Sequence, residues 1–553
     1  MARGFDDGIN SSTNNPAKGV KRTIDRMWDI IDGFEVRPYI ITIPAGMKSN
    51  RGKGAGKARK ADLRAAILPA AILLAALVWR TVSLNSFPPL PDEKITRDVV
   101  AGIWDGQWSN NWKYTVTDRA FRVDLYNFSS YLYADAVLAG VPATLGSSLP
   151  DGHPDLISWS RLVSALAGTL AVFWFYLVAR RLFNRATGLV AMTLMAAMPL
   201  LVQDAHYARP EAFVLALTAV AYLLLARFDA GHGTWAWVAG AGFCFGLLIA
   251  CKISLVPMAL VPVPFLARIK DRASAGRTAG ICAAAVILGF MVGVPDAVFH
   301  PAAFWHGVDF LRNQYAGAFR PHASIDSNNS VGLTAAYFWQ TTGLLLLFSA
   351  AGAFVLARAR RFALLAAIGG PVAFYLLYFC FERTFFERNL SHVAPLMAML
   401  AAVALVAAGE RFPEKRRSAV LIALVALAGG REAWVSGKLV FEAMRGTPER
   451  RAFRYEIALQ QTLGHRLDGS ISLFMDSQLD TMIQTAAAGR DMLVRVPDYH
   501  DSFTKKHLEE LQKRTAWRQA GYFPSVFEDF DVSTLIAYHG VSLRYLLLRA
   551  PRP

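Results

Sequence analysis

The sequence predicts a polytopic α-helical membrane protein, and three observations carry that prediction. Hydrophobic residues make up 54% of the 553 residues, charged residues only 18%, and the mean hydropathy is +0.30. Soluble domains carry about 25% charged residues, so the apolar excess is expected to lie in lipid. The apolar residues also fall in long blocks, as expected for helices that cross a hydrocarbon core of ~30 Å with about 20 residues each. Basic residues cluster in the short stretches between these blocks.

The blocks predict about eleven transmembrane helices. They lie at about 65–85, 158–180, 186–203, 210–228, 235–251, 253–267, 278–295, 333–357, 362–381, 390–409 and 418–433. Lys and Arg mark the cytoplasmic side, and on this reading the basic loops all fall on the side of the N-terminus. The count depends on the pair 235–251 and 253–267, which Lys252 separates. If that pair were a single span, every later basic loop would change sides.

Three regions follow from this topology. Residues 1–64 form a basic cytoplasmic segment, with 13 Lys and Arg against 7 Asp and Glu. Residues 65–433 form the transmembrane domain, in which the aromatic-rich outer loop 87–157 is expected to carry interfacial helices. Residues 434–553, with 16 basic and 14 acidic residues, form a domain outside the membrane. The expected location is the inner (plasma) membrane, with the C-terminus periplasmic or extracellular.

The last region is predicted to be a small α/β domain that serves acceptor recognition or stability. Alternating and β-branched patterns predict strands at Ile471–Phe474, Met492–Val496, Thr534–Tyr538 and Leu543–Leu548, and helices at Leu479–Ala488 and Thr504–Arg518.

Composition and motifs exclude several classes of function. The net charge of +16 is attributed to orientation of the membrane loops, so no nucleic acid is expected as a partner. The four cysteines lie in or beside apolar segments, which argues against a disulfide framework or a zinc site. No P-loop, GxSxG, HExxH or CxxC motif supports an ATPase, a serine hydrolase or a zinc peptidase.

Asp92 and Glu93 are the most informative polar pair, because they follow the first span directly behind a proline-rich stretch. One carboxylate could be a general base while the other orients it or binds a cation. In the alternative interpretation, Asp92 caps a helix and Glu93 lies in its first turn. Both interpretations stay open from the residues alone.

Further ionisable residues stand at the ends of the predicted spans. The turn 203–211 contains Asp204, His206, Arg209 and Glu211, and ionisable groups at membrane depth are costly and mark functional sites. Single cations stand at three other span ends: Arg80, Lys252 and Arg388. Each could reach lipid headgroups on its own, whereas several together would form a phosphate site.

These segments together resemble the polyprenol-phosphate-sugar-dependent glycosyltransferases of the GT-C class, nearest to family 39 with its protein O-mannosyltransferases and lipid A aminoarabinose transferases. The resemblance covers roughly residues 65–410. It rests on Arg80, Asp92-Glu93, Arg161–Leu170, Arg180–Phe183, His206–Ala212, Gly246–Lys252 and Glu387–Pro395. The chain departs from the family at Glu211, where Asp is frequent, and at Arg122-Val123-Asp124, where the aminoarabinose transferases have Lys-Pro; the second departure weakens the expectation of a lipid A phosphate acceptor.

The resemblance implies a GT-C fold and an enzyme that moves a sugar from a polyprenyl-phosphate donor to a lipid, glycan or protein acceptor at the outer face. It implies catalytic roles for Asp92 and Glu93. Donor-phosphate roles fall to Arg209, Lys252, Arg388 and Arg80, and substrate-cavity roles to Tyr126, His206 and Glu211. No cofactor is certain. A divalent metal is left open, with Asp92, Glu93 and His206 as its ligands, and membrane lipids are expected partners.

The alternative function is that of a transporter or flippase for a lipid-linked or anionic substrate. Transporters are built from inverted repeats with broken helices near the bilayer midplane. The sequence contains no internal repeat, and its acids lie at span ends. A non-catalytic scaffold would not require so many ionisable residues on one face. The glycosyltransferase is therefore favoured.

Overall fold

The structure, a computed structural model, describes most of the predicted membrane region and the strands of the C-terminal region. The described residues are 55–86, 91–116, 121–146, 156–230, 234–316, 331, 335, 338–339, 342–382, 387–445, 470–472, 484, 492–496, 509–510, 513, 518–523 and 544–549. Most of the predicted cytoplasmic segment and the start of the predicted span 333–357 lie outside them.

Helices dominate the described part of the chain. In chain order they are α1 Ala55–Thr81, α2 Pro91–Trp104, α3 Ser129–Leu138, α4 Gly140–Gly146, α5 Leu156–Leu182, α6 Arg185–Ala197, α7 Pro199–Asp204, α8 Pro210–Asp229, α9 Trp235–Cys251, α10 Val263–Leu266, α11 Arg272–Gly293, α12 Asp296–Phe299, α13 Pro301–Tyr315, α14 Leu345–Arg358, α15 Phe362–Leu364, α16 Gly370–Cys380, α17 Ala394–Gly409 and α18 Glu414–Arg445. Short 3-10 helices at Leu84–Ser86, Ile253–Leu260 and Glu387–Leu390 and a π-helical turn at Leu365–Gly369 complete them.

The predicted polytopic helical architecture is confirmed. Among the described residues, six helical stretches are long and apolar enough to cross a membrane, and five shorter apolar helices accompany them. The six are Ala66–Ser86, α5, α8, α11, Phe362–Cys380 and Glu414–Phe441. The five are α6, α9, Ile253–Leu266, α14 and α17. Each predicted span overlaps one of these stretches. How many of the shorter ones cross the membrane stays a prediction.

The central helix is α17, a 16-residue helix with nearly every residue buried. A helix that is apolar on all sides is expected in the interior, and α14, α6 and α18 pack around it. The Ser349 hydroxyl of α14 donates to the Met397 carbonyl at 2.8 Å and links the two helices. Packing around α17 thus forms the core of the membrane region.

Helices α9 and α11 pack with their backbones in contact, because glycine stands at the crossing. A Cβ on Gly246 would lie 2.1 Å from the Val286 carbonyl oxygen, and one on Gly289 would lie 2.2 Å from the Phe243 carbonyl oxygen. Any larger residue at either position would have to push the helices apart. The two helix ends that carry Lys252 and Val294 are therefore held side by side.

The short segment after α9 reverses direction. Lys252 leaves the helix with an extended backbone, and Ile253–Leu260 follows as a 3-10 helix. Leu266, at the end of this segment, packs with Val238 near the start of α9. Because a 3-10 helix rises about 2.0 Å per residue against 1.5 Å in an α-helix, the shorter segment can cover nearly the length of α9. This arrangement favours two separate spans on either side of Lys252.

The predicted outer loop contains three helices, as expected, and a hairpin that the sequence analysis did not predict. Helices α2, α3 and α4 flank strands β1 Trp112–Val116 and β2 Phe121–Leu125, which pair antiparallel. The Trp104 indole donates to the Ala136 carbonyl at 2.8 Å and fixes α2 against α3.

The C-terminal region contains a four-stranded sheet. Its strands are β3 Ser470–Ser472, β4 Met492–Val496, β5 Arg518–Phe523 and β6 Arg544–Arg549, in the order β3-β4-β6-β5. Strands β3, β4 and β6 lie at predicted positions, whereas β5 was not predicted. The predicted strand Thr534–Tyr538 and most of the two predicted helices lie outside the described residues.

The predicted topology is open to a labelling experiment. In a variant carrying Cys380→Ser, with Cys244, Cys251 and Cys282 buried, we expect Ala520→Cys to react with an impermeant maleimide on intact cells. We expect Ala55→Cys to react only after lysis, because the basic N-terminal segment marks the cytoplasmic side. The parent without an added cysteine is the control. Labelling of position 55 on intact cells, or protection of position 520, would show that the orientation is wrong.

Candidate active site

Asp92 lies in the first turn of α2 and forms an ion pair with Arg388. Arg388 comes from the 3-10 turn Glu387–Leu390, and its Nη1 donates to the Asp92 Oδ2. The Asp92 side chain is 19% exposed and that of Arg388 11%. This pair is therefore a partly accessible carboxylate at the rim of a buried polar region, held by a cation from 296 residues later in the chain.

Glu93 points away from Asp92 into the protein, and its carboxylate is fully buried. Arg161 of α5 holds it through two parallel hydrogen bonds, with Nε donating to Oε1 and Nη2 to Oε2, both at 2.8 Å. The Ala208 backbone amide donates to Oε1 at 2.8 Å. Glu93 thus links α2 to α5 and to the turn that precedes α8.

A second ion-pair group lies where that turn meets the end of α9. The fully buried Arg209 donates from Nη2 to Asp204 Oδ1 at 2.8 Å, and its Nε lies 3.4 Å from Glu211 Oε2. Lys252 Nζ lies 2.6 Å from Glu211 Oε1. The Ser391 hydroxyl donates to Asp204 Oδ2. Pro210 begins α8 here, at a position where its missing N–H is not needed, so Arg209 and Glu211 flank the helix start.

Together these residues form one cluster of alternating charge, which we call the charged cluster. It contains Asp92, Asp204, Arg209, Glu211, Lys252 and Arg388. Counted as ionised, its three carboxylates balance its three cations, as buried charges require. Burial raises the pKa of Asp204, although the Arg209 charge opposes the rise.

Arg209 has further capacity for hydrogen bonding. Its Nη1 has no hydrogen-bond partner among the described residues, although the side chain is completely buried. A buried N–H without an acceptor costs about 1–3 kcal/mol, and more when charged. The guanidinium is thus a donor that an anionic ligand in the charged cluster could satisfy.

Tyr315, at the end of α13, adds a hydroxyl beside these charges. It accepts a hydrogen bond from Asn389 Nδ2 at 2.9 Å. Burial raises the pKa of Tyr315, and the nearby Lys252 and Arg388 charges oppose that rise. Tyr315 therefore lies within the electrostatic reach of both cations.

Arg80 and His206 both contact backbone carbonyl oxygens. The Arg80 guanidinium donates to the carbonyls of Met195 and Ala196 at 3.1 and 3.2 Å and so binds the end of α6. No ion pair joins it to Asp92, Asp204 or Glu211 in the part of the chain that the structure describes. These contacts give Arg80 a role in holding α6, and no ion pair with an acid of the charged cluster among the described residues supports the phosphate role that the sequence analysis expected.

Both ring nitrogens of His206 face carbonyl oxygens, Nδ1 that of Val202 at 2.7 Å and Nε2 that of Val82 at 3.1 Å. Burial lowers the pKa of His206 to about 4, so the ring is neutral near pH 7 and donates to one of them. Its contacts hold the turn in place. They leave no nitrogen facing the charged cluster.

Tyr126 lies in another part of the outer loop. Its side chain packs with Ala250, Val294 and Phe304 where α9 and α11 end. Burial raises the pKa of Tyr126, and the Asp296 charge adds to the rise. Tyr126 thus packs against the last turn of α9, the helix that Lys252 follows.

The three residues proposed as metal ligands do not fit a metal ion. Glu93 is occupied by Arg161 and the Ala208 amide, and both nitrogens of His206 face carbonyl oxygens. The described residues contain no group of three or more His, Cys, Asp or Glu side chains arranged to hold a metal. The contacts of Glu93 and His206 therefore do not support the metal site that the sequence analysis left open.

The structure brings together five of the nine residues that the sequence analysis proposed for the site. They are Asp92, Arg209, Glu211, Lys252 and Arg388. Sequence reasoning assigned no role to Asp204, Arg161, Ser391 and Tyr315. Asp204 and Arg161 were visible as ionisable residues inside apolar surroundings, whereas Ser391 and Tyr315 gave no comparable signal.

The chain is similar in structure to two solved proteins, AglB and ArnT. Against the oligosaccharyltransferase AglB from Archaeoglobus fulgidus, in complex with an inhibitory peptide and a dolichol-phosphate, the TM-score is 0.49 at 16% identity, over 67% of this chain and 56% of that one. The matched part thus spans little more than half of AglB. Against ArnT from Cupriavidus metallidurans bound to undecaprenyl phosphate, the TM-score is 0.49 at 15% identity, over 87% of this chain and 99% of that one.

No curated protein sequence matches the chain. A family model does match part of it. The model is described as dolichyl-phosphate-mannose-protein mannosyltransferase, and it matches residues 157–299, from α5 to α12. These residues include Arg161, Asp204, Arg209, Glu211 and Lys252. This match confirms the resemblance of the chain to the GT-C glycosyltransferases.

Proposed function

We propose that this protein is a glycosyltransferase that moves a sugar from a polyprenyl-phosphate donor to an acceptor hydroxyl at the outer face of the membrane. The observation that carries the proposal is the charged cluster, in which a partly exposed carboxylate stands next to three cations at the ends of membrane helices. A lipid-linked donor keeps its chain in the bilayer and presents its phosphate at this depth. The family-model match over residues 157–299 supports the reaction class.

Asp92 is proposed as the general base. It is the most exposed of the three carboxylates in the charged cluster. In the reaction the acceptor oxygen bonds to the anomeric carbon, the bond from that carbon to the phosphate oxygen breaks, and polyprenyl phosphate leaves with the electron pair. The acceptor proton passes to Asp92. A positioned base of this kind typically contributes ~10²–10⁴-fold to the rate.

Arg209, Lys252 and Arg388 are proposed to stabilise the phosphate. A phosphate leaving group develops charge that preorganised cations can stabilise without a strong acid. Arg209 supplies the buried Nη1 without a partner among the described residues, and Lys252 and Arg388 stand at the more accessible side of the charged cluster. Arg80 is left out of this group because it binds backbone carbonyls.

Without a donor, the cations of the charged cluster are already paired with carboxylates. They must exchange these partners for the phosphate when the donor binds. Arg388 already holds Asp92, and Lys252 already holds Glu211. A phosphate that binds Arg388 competes with Asp92 for its guanidinium, which frees the Asp92 carboxylate to accept a proton. Donor binding would then precede activation of the base. Glu93 is proposed as a positioning residue, since its oxygens are occupied by Arg161 and Ala208.

Removal of the Lys252 charge tests the phosphate role. We expect Lys252→Ala to weaken binding of undecaprenyl phosphate by about 1.5–3 kcal/mol, the size of a hydrogen bond to a charged group. Lys252→Arg should retain most of the affinity. Lys270→Ala, which removes an exposed lysine elsewhere on the chain, serves as the matched control. Calorimetry or fluorescence titration on the detergent-solubilised full chain provides the measurement, and unchanged affinity in Lys252→Ala would contradict the assignment.

A reconstituted assay tests the reaction itself. Proteoliposomes with a polyprenyl-phosphate sugar should yield a glycosylated acceptor and free polyprenyl phosphate in equal amounts. Movement of the intact lipid-linked sugar across the bilayer without any transfer would contradict the proposal and favour a flippase.

A further inference from the structure

A second polar group lies where α11 ends, next to the helix end that carries Lys252. Asp296 follows Val294 by two residues, as Lys252 follows Ala250 by two. Ala250 and Gly293 are in contact, since a Cβ on Gly293 would lie 2.4 Å from the Ala250 Cβ. Packed helices are separated by about 8–10 Å, so Lys252 and Asp296 stand on neighbouring helix ends. The Tyr126 ring packs against both ends.

The Asp296 carboxylate is held by two side chains and remains partly accessible. Ser109 donates from its hydroxyl to Oδ2 at 2.5 Å, and the His300 Nδ1 lies 3.0 Å from Oδ1. The His300 side chain is 64% exposed. Ser109 comes from the loop after α2, whereas Asp296 begins α12 and His300 follows its end. The arrangement therefore depends on the tertiary fold.

Asn110, the residue next to Ser109, is completely buried. Neither its Oδ1 nor its Nδ2 has a hydrogen-bond partner among the described residues. A buried amide without partners is costly, and native structures contain few such groups. Asn110, next to Ser109 in the chain, therefore has one acceptor and two donors that no described residue satisfies.

The chemistry of this group differs from that of the charged cluster. A carboxylate with an imidazole and a carboxamide presents acceptors and donors but carries no fixed positive charge. Such a set suits hydroxyl groups, each of which both donates and accepts. It does not suit a phosphate, which Asp296 would repel. A sugar attached to a phosphate at Lys252 could extend from that helix end toward the neighbouring one that carries Asp296.

We propose that Ser109, Asn110, Asp296 and His300 bind the hydroxyl groups of the sugar that the donor carries. The proposal rests on the function proposed above, because it needs the phosphate at Lys252 and Arg388. We call these four residues the Asp296 site. The charged cluster binds the phosphate of the donor, and the Asp296 site recognises its sugar. The Asp296 site therefore selects which sugar is transferred.

The division is tested by measuring binding of the bare lipid and of the sugar-bearing lipid to the full-length protein. The probes are undecaprenyl phosphate and the same lipid carrying mannose, glucose or arabinose. We expect at least one sugar-bearing lipid to bind more tightly than the bare lipid. Asp296→Asn and His300→Ala should reduce that preference at least about tenfold, the effect of one hydrogen bond to a charged group, and leave affinity for the bare lipid unchanged. Lys252→Ala should weaken both.

Asp309→Asn on the adjacent α13, which changes an exposed carboxylate outside this site, is the matched control. A sugar preference that is absent from the unaltered protein, or that survives in Asp296→Asn and His300→Ala, overturns the proposal. The proposal is also overturned if these variants change only the KM for the acceptor. Failure of the protein to bind any of the lipid phosphates contradicts the proposed function instead.

A third variant separates recognition from a structural role. Asn110→Leu replaces a buried amide, which has no partner among the described residues, by an apolar side chain of similar size. If Asn110 only fills space, the melting temperature of the variant rises or stays constant and the sugar preference is retained. That result contradicts the place of Asn110 in the site. If Asn110 binds the sugar, the folded variant loses the preference.

Discussion

Asp92→Asn should lower the rate of transfer by about 10²–10⁴-fold, the contribution of a positioned general base. The carboxamide keeps the shape of the side chain and can still accept a hydrogen bond from Arg388, so the local structure should survive. What is lost is the negative charge that takes the acceptor proton. Turnover of a polyprenyl-phosphate sugar by the purified variant, compared with the unaltered protein at equal folded concentration, gives the measurement.

Donor binding distinguishes this explanation from a general loss of the site. Because Asp92 competes with the phosphate for Arg388, the affinity of Asp92→Asn for undecaprenyl phosphate should not fall, and a rise would support the exchange of partners. Asp98→Asn is the matched control, since Asp98 lies on the same helix, is 52% exposed and pairs only with the adjacent Arg97 in the described residues. Turnover of Asp92→Asn at the level of the unaltered protein would remove Asp92 as the base.

The residues of the charged cluster could be predicted from the sequence, but their pairing could not. Asp92, Arg209 and Lys252 stood out because ionisable residues at the ends of apolar spans are rare and costly. That Arg388 contacts Asp92 depends on how α2 and the turn before α17 meet, 296 residues apart. The same limit applies to Arg80. Its charge was visible, whereas the carbonyls that it binds lie 115 and 116 residues away.

The helices were predictable because each of them coincides with a continuous apolar segment of suitable length. The β1–β2 hairpin was missed although Phe121–Leu125 alternates apolar and polar residues, a strand pattern. The aromatic content of the loop drew attention to interfacial helices instead. Strand β5, at Arg518–Phe523, has a weaker strand pattern than Phe121–Leu125. It contains one glycine and no β-branched residue, and it is specified by its pairing with β6.

The second large effect is expected at the buried pair Glu93–Arg161. Removal of one partner of a buried ion pair typically costs about 3–5 kcal/mol, because the other charge stays buried without compensation. Glu93→Gln and Arg161→Met should therefore each lower the melting temperature of the full-length protein strongly. Glu432→Gln is the matched control: Glu432 is also a buried acid, but no ion pair holds it among the described residues. It should cause no comparable loss.

The double variant Glu93→Gln with Arg161→Met decides what Glu93 does. The pair is replaced by uncharged side chains of similar size, and such replacements are often neutral or stabilising. The Gln oxygen can still accept from the Ala208 amide, which Glu93 binds at 2.8 Å. We expect the double variant to regain most of the stability that either single variant loses. If Glu93 only positions α2 and the turn before α8, transfer activity should return with stability, because Asp92 is again held in place. Restored stability without restored activity would instead give Glu93 a direct part in the chemistry.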